Sequence, residues 1–189
     1  FARIESIVEE TGANQVNVEF RITEGKKVTI RKINFKGNRA FSDKALKKVI
    51  ETQEHWILSW LFGGDVYKED QIRTDLARLQ VWYQNHGYIR VSIKEPSIRE
   101  NRKGNSLTLV ISILEGKQYR VGKVSVEGDD VFSADDLRKR VSLKKGDVYN
   151  RSKLNSDIVG ITEAYAQKGH AFADIIPETS ILDEKQLVN

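Results

Sequence analysis

Cysteine is absent from this 189-residue chain, which excludes disulfides and thiolate metal sites without fixing the redox compartment. Methionine is absent too, and a chain that begins at Phe1 inside a strand pattern reads as a fragment of something longer, so a missing signal peptide says nothing about secretion. The two prolines, Pro96 and Pro177, are expected where a strand ends, because a lost backbone donor does little harm there. Long apolar runs are also missing: the longest, Trp56 to Phe62, is broken by Ser59 and is far too short to span a bilayer. No nucleophile elbow, phosphate loop or dinucleotide fingerprint occurs, since Gly63-Gly64 followed by Asp65 lacks the lysine and hydroxyl that a phosphate loop needs. The three histidines, His55, His86 and His170, show no zinc-ligand spacing, and the carboxylate pairs Asp129-Asp130 and Asp135-Asp136 are explained by turns and helix caps. The expectation is no enzyme, no cofactor and no metal.

Charge of one sign is scarce as well. The net charge of +4 arises from 31 basic and 27 acidic residues interspersed along the chain, as on a solvated surface, and points to no nucleic-acid partner.

What is present is a repeat. Gly37, Phe41-Ser42 and Leu46 return as Gly128, Phe132-Ser133 and Leu137, 91 residues on (37 to 128). Val16, Val18, Phe20 and Ile22 with Glu24-Gly25 return as Leu107, Leu109, Ile111 and Ile113 with Glu115-Gly116. Gly64-Asp65-Val66-Tyr67 returns as Gly146-Asp147-Val148-Tyr149 after only 82 (64 to 146), so the first copy carries an insertion of nine, between about Thr52 and Gly63.

Within one copy the pattern predicts five elements. Apolar residues at 28, 30, 33 and 35 alternate with one skip, which implies a bulged strand. Ser42 and Ser133 then cap a short helix, and a second helix carries Ile72, Leu76, Leu79 and Tyr83, or Leu154, Ile158, Ile161 and Tyr165, on one stripe. Gly87 and Gly169 suit the left-handed position that ends it. A hairpin follows, with Ile89, Val91 and Ile93 on one strand and Leu107, Leu109, Ile111 and Ile113 on the other. The fold class is α+β, each module β-α-α-β-β, a three-stranded mixed sheet covered on one face by two helices. The short Glu115-Gly116-Lys117-Gln118 junction implies a jointed rod.

On this reading residues 1–26 are the C-terminal hairpin of a preceding module, 27–117 a complete module, and 118–189 a module lacking most of its last strand. The incomplete ends are expected to pair between molecules, giving an oligomer, or to be disordered.

Two features exceed a scaffold's needs. The insertion carries Trp56, Ile57, Leu58, Trp60, Leu61 and Phe62, which either pack on their own or a neighbouring module or form a patch for a partner or membrane surface. The hairpin's first strand, Tyr88, Ile89, Arg90, Val91, Ser92, Ile93, Lys94 and Glu95, lies at a sheet edge that can accept an extended peptide through main-chain bonds, unless Arg90, Lys94 and Pro96 are there to block such pairing.

The ordered set Gly-Asn-x-x-Phe-Ser (37 to 42), Gly-Asp-Val-Tyr (64 to 67), Asp75, Tyr83, Gly-Tyr (87 to 88) and Glu-Gly (115 to 116) resembles the polypeptide-transport-associated, or POTRA, domain over essentially the whole chain. The third copy departs from it at Gly169-His170, where an aromatic is usual, and Asp129-Asp130 replaces Gly-Asn. The resemblance implies the periplasmic arm of an outer-membrane β-barrel assembly protein of a Gram-negative bacterium, with the third domain at 27–117 and the fourth at 118–189. It implies binding of unfolded outer-membrane proteins by strand addition at 88–95 and at a second edge strand, His170, Ala171, Phe172, Ala173, Asp174, Ile175 and Ile176. It also implies docking of accessory outer-membrane lipoproteins, and a membrane-proximal position through a C-terminal barrel outside this sequence. A POTRA region that serves secretion or autotransporter assembly would look similar. A nucleic-acid-binding α/β module, for which Tyr88 with Arg90 is a thin platform, is the reading from another class.

Overall fold

The computed structural model describes residues 3–12, 15–23, 28–55 and 66–189. Strands β1 (Arg3–Gly12) and β2 (Gln15–Thr23) form an antiparallel hairpin in which Ile4 faces Ile22 and Val8 faces Val18. Opposed residues share a face, so Ile4, Val8, Val18, Phe20 and Ile22 collect on one side, and all five are exposed.

The first unit runs β3 (Thr29–Lys36), α1 (Asp43–Lys47), α2 (Glu69–Asn85), β4 (Ser92–Ile93), β5 (Ser97–Glu100) and β6 (Ser106–Leu114). The sheet is mixed, with β6 central, parallel to β3 on one side and antiparallel to β4 and β5 on the other. The skip in the first strand is a register shift between Ile30 and Lys32, which lets Ile30 and Ile33 both turn inward. They meet Leu46 of α1, Leu79 and Tyr83 of α2, and Leu109, Ile111 and Ile113 of β6 in one core. The helix caps are as expected: Ser42 Oγ accepts the Ala45 N–H and Ser133 Oγ the Asp136 N–H.

The second unit repeats the order as β7 (Arg120–Val121), α3 (Ala134–Arg140), α4 (Arg151–Gln167), β8 (Ile181–Leu182) and β9 (Leu187–Val188). Its small sheet again places a central strand, β9, parallel to β7 and antiparallel to β8. No described helix is long and apolar enough to cross a membrane.

Three expectations about strands change. Residues 88–91 are not strand: Gly87 turns the chain after α2, the Val91 N–H donates to the Tyr88 carbonyl, and Val91 enters the core from that turn. Pro96 does not end the strand either. Ile93 faces Ile113 and Ser97 faces Val110, so four steps on one side match three on the other and the chain bulges around the proline. The second expected edge, 170–176, forms no strand. Ala171 and Phe172 lie in a turn, while Ala173 and Ile175 pack on Leu137, Ile161 and Tyr165. The central strand β9 is short, pairing through Leu187 and Val188, and Ser180 and Asn189 exchange two further main-chain bonds beside it.

Candidate peptide-binding edge and the joint beside it

The sheet of the first unit has two edges, and they differ. From Val28 to Ile33 outward-facing groups at the β3 edge are occupied: the Val28 carbonyl accepts the Tyr67 N–H at 3.2 Å, the Ile30 carbonyl accepts the His55 N–H at 2.6 Å, and the Ile33 N–H donates to Glu54 Oε1 at 2.8 Å. Val66 also makes an antiparallel bridge to Thr29. Burial pushes the Glu54 carboxyl up, but the Ile33 N–H and Lys47 outweigh it and hold the group below the usual glutamate range. The second unit repeats the cover, with Val148 bridged to Arg120 and the Tyr149 N–H on the Tyr119 carbonyl. The recurring Val-Tyr pair, Val66-Tyr67 and Val148-Tyr149, therefore has a mechanical role: it bonds to the edge at the start of each unit's first strand.

The opposite edge, β4 and β5, has no strand neighbour among the described residues. The Asn101 N–H donates to the Ser106 carbonyl and the Lys94 N–H to the Ser112 carbonyl. By antiparallel alternation, Ser97 and Arg99 bond inward to β6, while Ile93, Ile98 and Glu100 turn their N–H and C=O groups outward. All four residues of β5 are exposed. The sequence reading placed this edge too early and missed Ser97–Glu100. The signal was Ile98 alternating with polar neighbours directly opposite Leu109, masked by Pro96.

The predicted edge residues thus separate into four roles. Ser92 and Ile93 are edge strand, and Lys94 and Glu95 form its exposed bulge. Tyr88 and Val91 belong to the core, with the Tyr88 ring 5.7 Å from those of both Phe41 and Tyr83. Ile89 sits in the turn, its N–H on the Gly87 carbonyl. Arg90 reaches across to the second unit: its Nε and Nη2 donate to both oxygens of Asp183, at 2.9 and 2.8 Å. Of the second predicted edge, only Phe172 and Ile176 stand well out as large apolar groups, at 100% and 75% exposure. The apolar insertion, Trp56, Ile57, Leu58, Trp60, Leu61 and Phe62, lies outside the described residues.

Arg90 belongs to a joint between the two units. Tyr119 hydroxyl also donates to Asp183, the Tyr119 N–H donates to the Gly87 carbonyl at 2.8 Å, and Gln118 Nε2 donates to the His86 carbonyl at 3.0 Å. Where α2 ends, Asn85 Oδ1 accepts the Ser152 N–H at 2.9 Å, capping the first turn of α4, and Gln84 Oε1 accepts from Arg151 at 2.7 Å. Just before the junction, Glu115 is buried and accepts from the Tyr83 hydroxyl and the Ala40 N–H, so the Glu-Gly pair anchors the junction to the core. Burial, then Glu115, pushes the Tyr83 hydroxyl far up. Asp183→Ala is expected to widen the angular spread between units, read as reduced agreement of residual dipolar couplings with one rigid arrangement. Unchanged couplings would show that the main-chain contacts at Gly87 suffice.

A family model described as POTRA, surface antigen variable number repeat, matches residues 28–116 and 119–189. The chain is 31% identical over 170 residues to the outer membrane protein assembly factor BamA of Neisseria meningitidis serogroup B, covering 89% of this chain and 21% of that protein. It is 30% identical over 184 residues to the BamA of Neorickettsia risticii, covering 92% and 25%. It thus spans a quarter or less of these curated relatives' length. The crystal structure of Haemophilus influenzae BamA POTRA3-5 superposes with a TM-score of 0.66 at 21% identity, covering 86% of this chain and 63% of that one.

Proposed function

This chain belongs to the POTRA family, and from that premise we propose that it is part of the periplasmic arm of an outer-membrane β-barrel assembly protein, where it holds unfolded outer-membrane proteins by strand addition. On this reading residues 27–117 are the third POTRA domain, 1–26 end the second and 118–189 begin the fourth, with accessory lipoproteins as further partners. One observation supports it above the others: the β3 edge is occupied from Val28 to Ile33 by two main-chain bonds and the Glu54 carboxylate, while Ser92–Glu100 keeps outward groups unpaired among the described residues. Backbone pairing suits clients of many sequences, since every future barrel strand offers the same groups. The edge is short, bulged at Pro96 and flanked by Lys94, Glu95, Arg99 and Glu100, features that limit permanent edge-to-edge association and favour transient capture.

The test is a titration of the chain with an extended ten-residue peptide from an outer-membrane β-strand, followed through backbone amides. Shifts are expected at Ile93, Ile98 and Glu100. Ile98→Pro removes an outward N–H without removing a bond to β6, so affinity should fall by about tenfold or more, ~1.4 kcal/mol, with little change in thermal stability. Undiminished binding by that variant, or no shifts at millimolar peptide, would overturn the proposal.

A further inference from the structure

On the helical face of the first unit, Ser42, Lys44, Ala45, Lys48, Val49 and Trp82 line an open groove of ≈ 530 Å³ between α1 and α2, and none of them belongs to β4 or β5. Its floor is rigid. The Trp82 ring lies 4.3 Å from that of Phe41, edge-on, and 4.1 Å from the His86 ring, whose Nδ1 is 2.7 Å from the Trp82 carbonyl. Trp82 is held by these rings yet only partly buried, the condition in which an aromatic side chain anchors a partner at small entropic cost.

Its rim is positive. Lys44 and Lys48 are exposed, one helical turn apart, and neither pairs with a carboxylate among the described residues, whereas Lys47 between them is engaged by Glu54 at 2.6 Å. The nearby acids are committed elsewhere: Asp43 to Asn38 at 2.8 Å, and Glu51 to Arg78 at 2.6 Å.

The repeat supplies an internal control. At the equivalent positions the second unit has Asp135 for Lys44, Asp136 for Ala45, Arg140 for Val49 and Ala164 for Trp82, and keeps a lysine, Lys139, for Lys48. The same fold therefore forms without the tryptophan, the apolar floor or the lysine at 44, so the combination of these features in the first unit is not a requirement of the fold.

We propose that this groove docks an acidic linear peptide, seating one bulky apolar side chain on Trp82 and Val49 while flanking carboxylates meet Lys44 and Lys48. The site is separate from the β-edge and stands whether or not that edge captures clients.

The experiment titrates the whole chain, isotope-labelled, with a blocked acidic peptide carrying Leu-Phe between glutamates. Saturable shifts are expected at the Trp82 indole N–H and at the Ala45 and Val49 amides. The double variant Lys44→Asp with Lys48→Glu, both at exposed positions and the first matching Asp135 of the second unit, should fold normally and bind at least tenfold more weakly. A peptide with lysines in place of glutamates should not bind. The proposal is overturned if the charge-reversed variant binds equally, if the lysine peptide binds as well, if the shifts fall on Ile93, Ile98 and Glu100 instead, or if anionic vesicles engage Lys44 and Lys48 while the peptide does not.

Discussion

Replacing Gly37 by valine is expected to unfold the first unit while leaving the second folded. Gly37 follows β3 with φ of +87°, a region that costs a β-branched residue dearly, and a Cβ there would lie 2.1 Å from the Ile113 carbonyl oxygen. That oxygen belongs to β6, the central strand to which β3, β4 and β5 all pair, so relief of the clash moves the whole sheet. Strain of about 1–3 kcal/mol at the backbone adds to the displacement of a packed strand, and a total of ~4 kcal/mol or more is a large share of the 5–15 kcal/mol that typically holds a domain. Amide protection along β3 and β6 should collapse, while Leu137, Ile161 and Tyr165 keep their native chemical shifts. A urea midpoint equal to that of the parent chain would show that the turn after β3 relaxes without involving β6.

The parts of the fold that were legible in the sequence are those that depend on neighbours within a few residues. Ser42 and Ser133 announce helix starts because their hydroxyls bond N–H groups three residues on. Ile72, Leu79 and Tyr83 announce a helix because one stripe is buried, and the skip at Ile30 to Ile33 announces a bulge because both residues must reach the same core. The edge was harder. Ile89, Val91 and Ile93 alternate like a strand, yet Val91 is delivered to the core by a turn, so the period of two reflects burial by two different backbone routes. Which edge is open depends on main-chain bonds from His55 and Tyr67 to β3, contacts of 25 and 39 residues' separation (30 to 55, 28 to 67) that no local pattern encodes. Arg90 was legible only as a charge in a strand; its meaning lies in Asp183, 93 positions away. The groove at Trp82 was equally hidden. The repeat shows that position 82 corresponds to Ala164, but only the packing of Phe41 and His86 shows the ring held at the surface.

Asp75→Ala is expected to cost about 3 kcal/mol at neutral pH, and this cost should shrink in acid. Asp75 sits inside α2 with its side chain 3% exposed, where an unpaired carboxylate would be prohibitive. Its two oxygens instead accept the Glu51 and Thr52 N–H groups, both at 2.9 Å, with Gln71 and Arg78 at 3.3 and 3.0 Å. Those two N–H groups lie where the chain leaves α1, so the carboxylate ties that exit to α2. Alanine would strand both, at roughly 1–3 kcal/mol for a buried donor. Burial pushes the Asp75 carboxyl up, but the bonds from Thr52, the two main-chain N–H groups and Gln71 outweigh it, and the folded value lies below the usual aspartate range. A depressed folded pKa gives stability that is fully present above the unfolded value, about 3.9, and is lost as pH falls through the lower folded one. The gap in urea midpoint between parent and Asp75→Ala should therefore be widest near neutrality and narrow only below about pH 4; a gap independent of pH down to acid unfolding would assign the effect to packing alone. The second unit provides the comparison within the same chain. Asp157 accepts the Ser142 and Leu143 N–H groups at 3.0 and 3.3 Å through a single oxygen, with no bond from an arginine or glutamine among the described residues, so Asp157→Ala should cost less than Asp75→Ala. Because the two substitutions remove the same tie from two copies of one module, the difference between them isolates what Gln71, Arg78 and the second bonded oxygen add in the first.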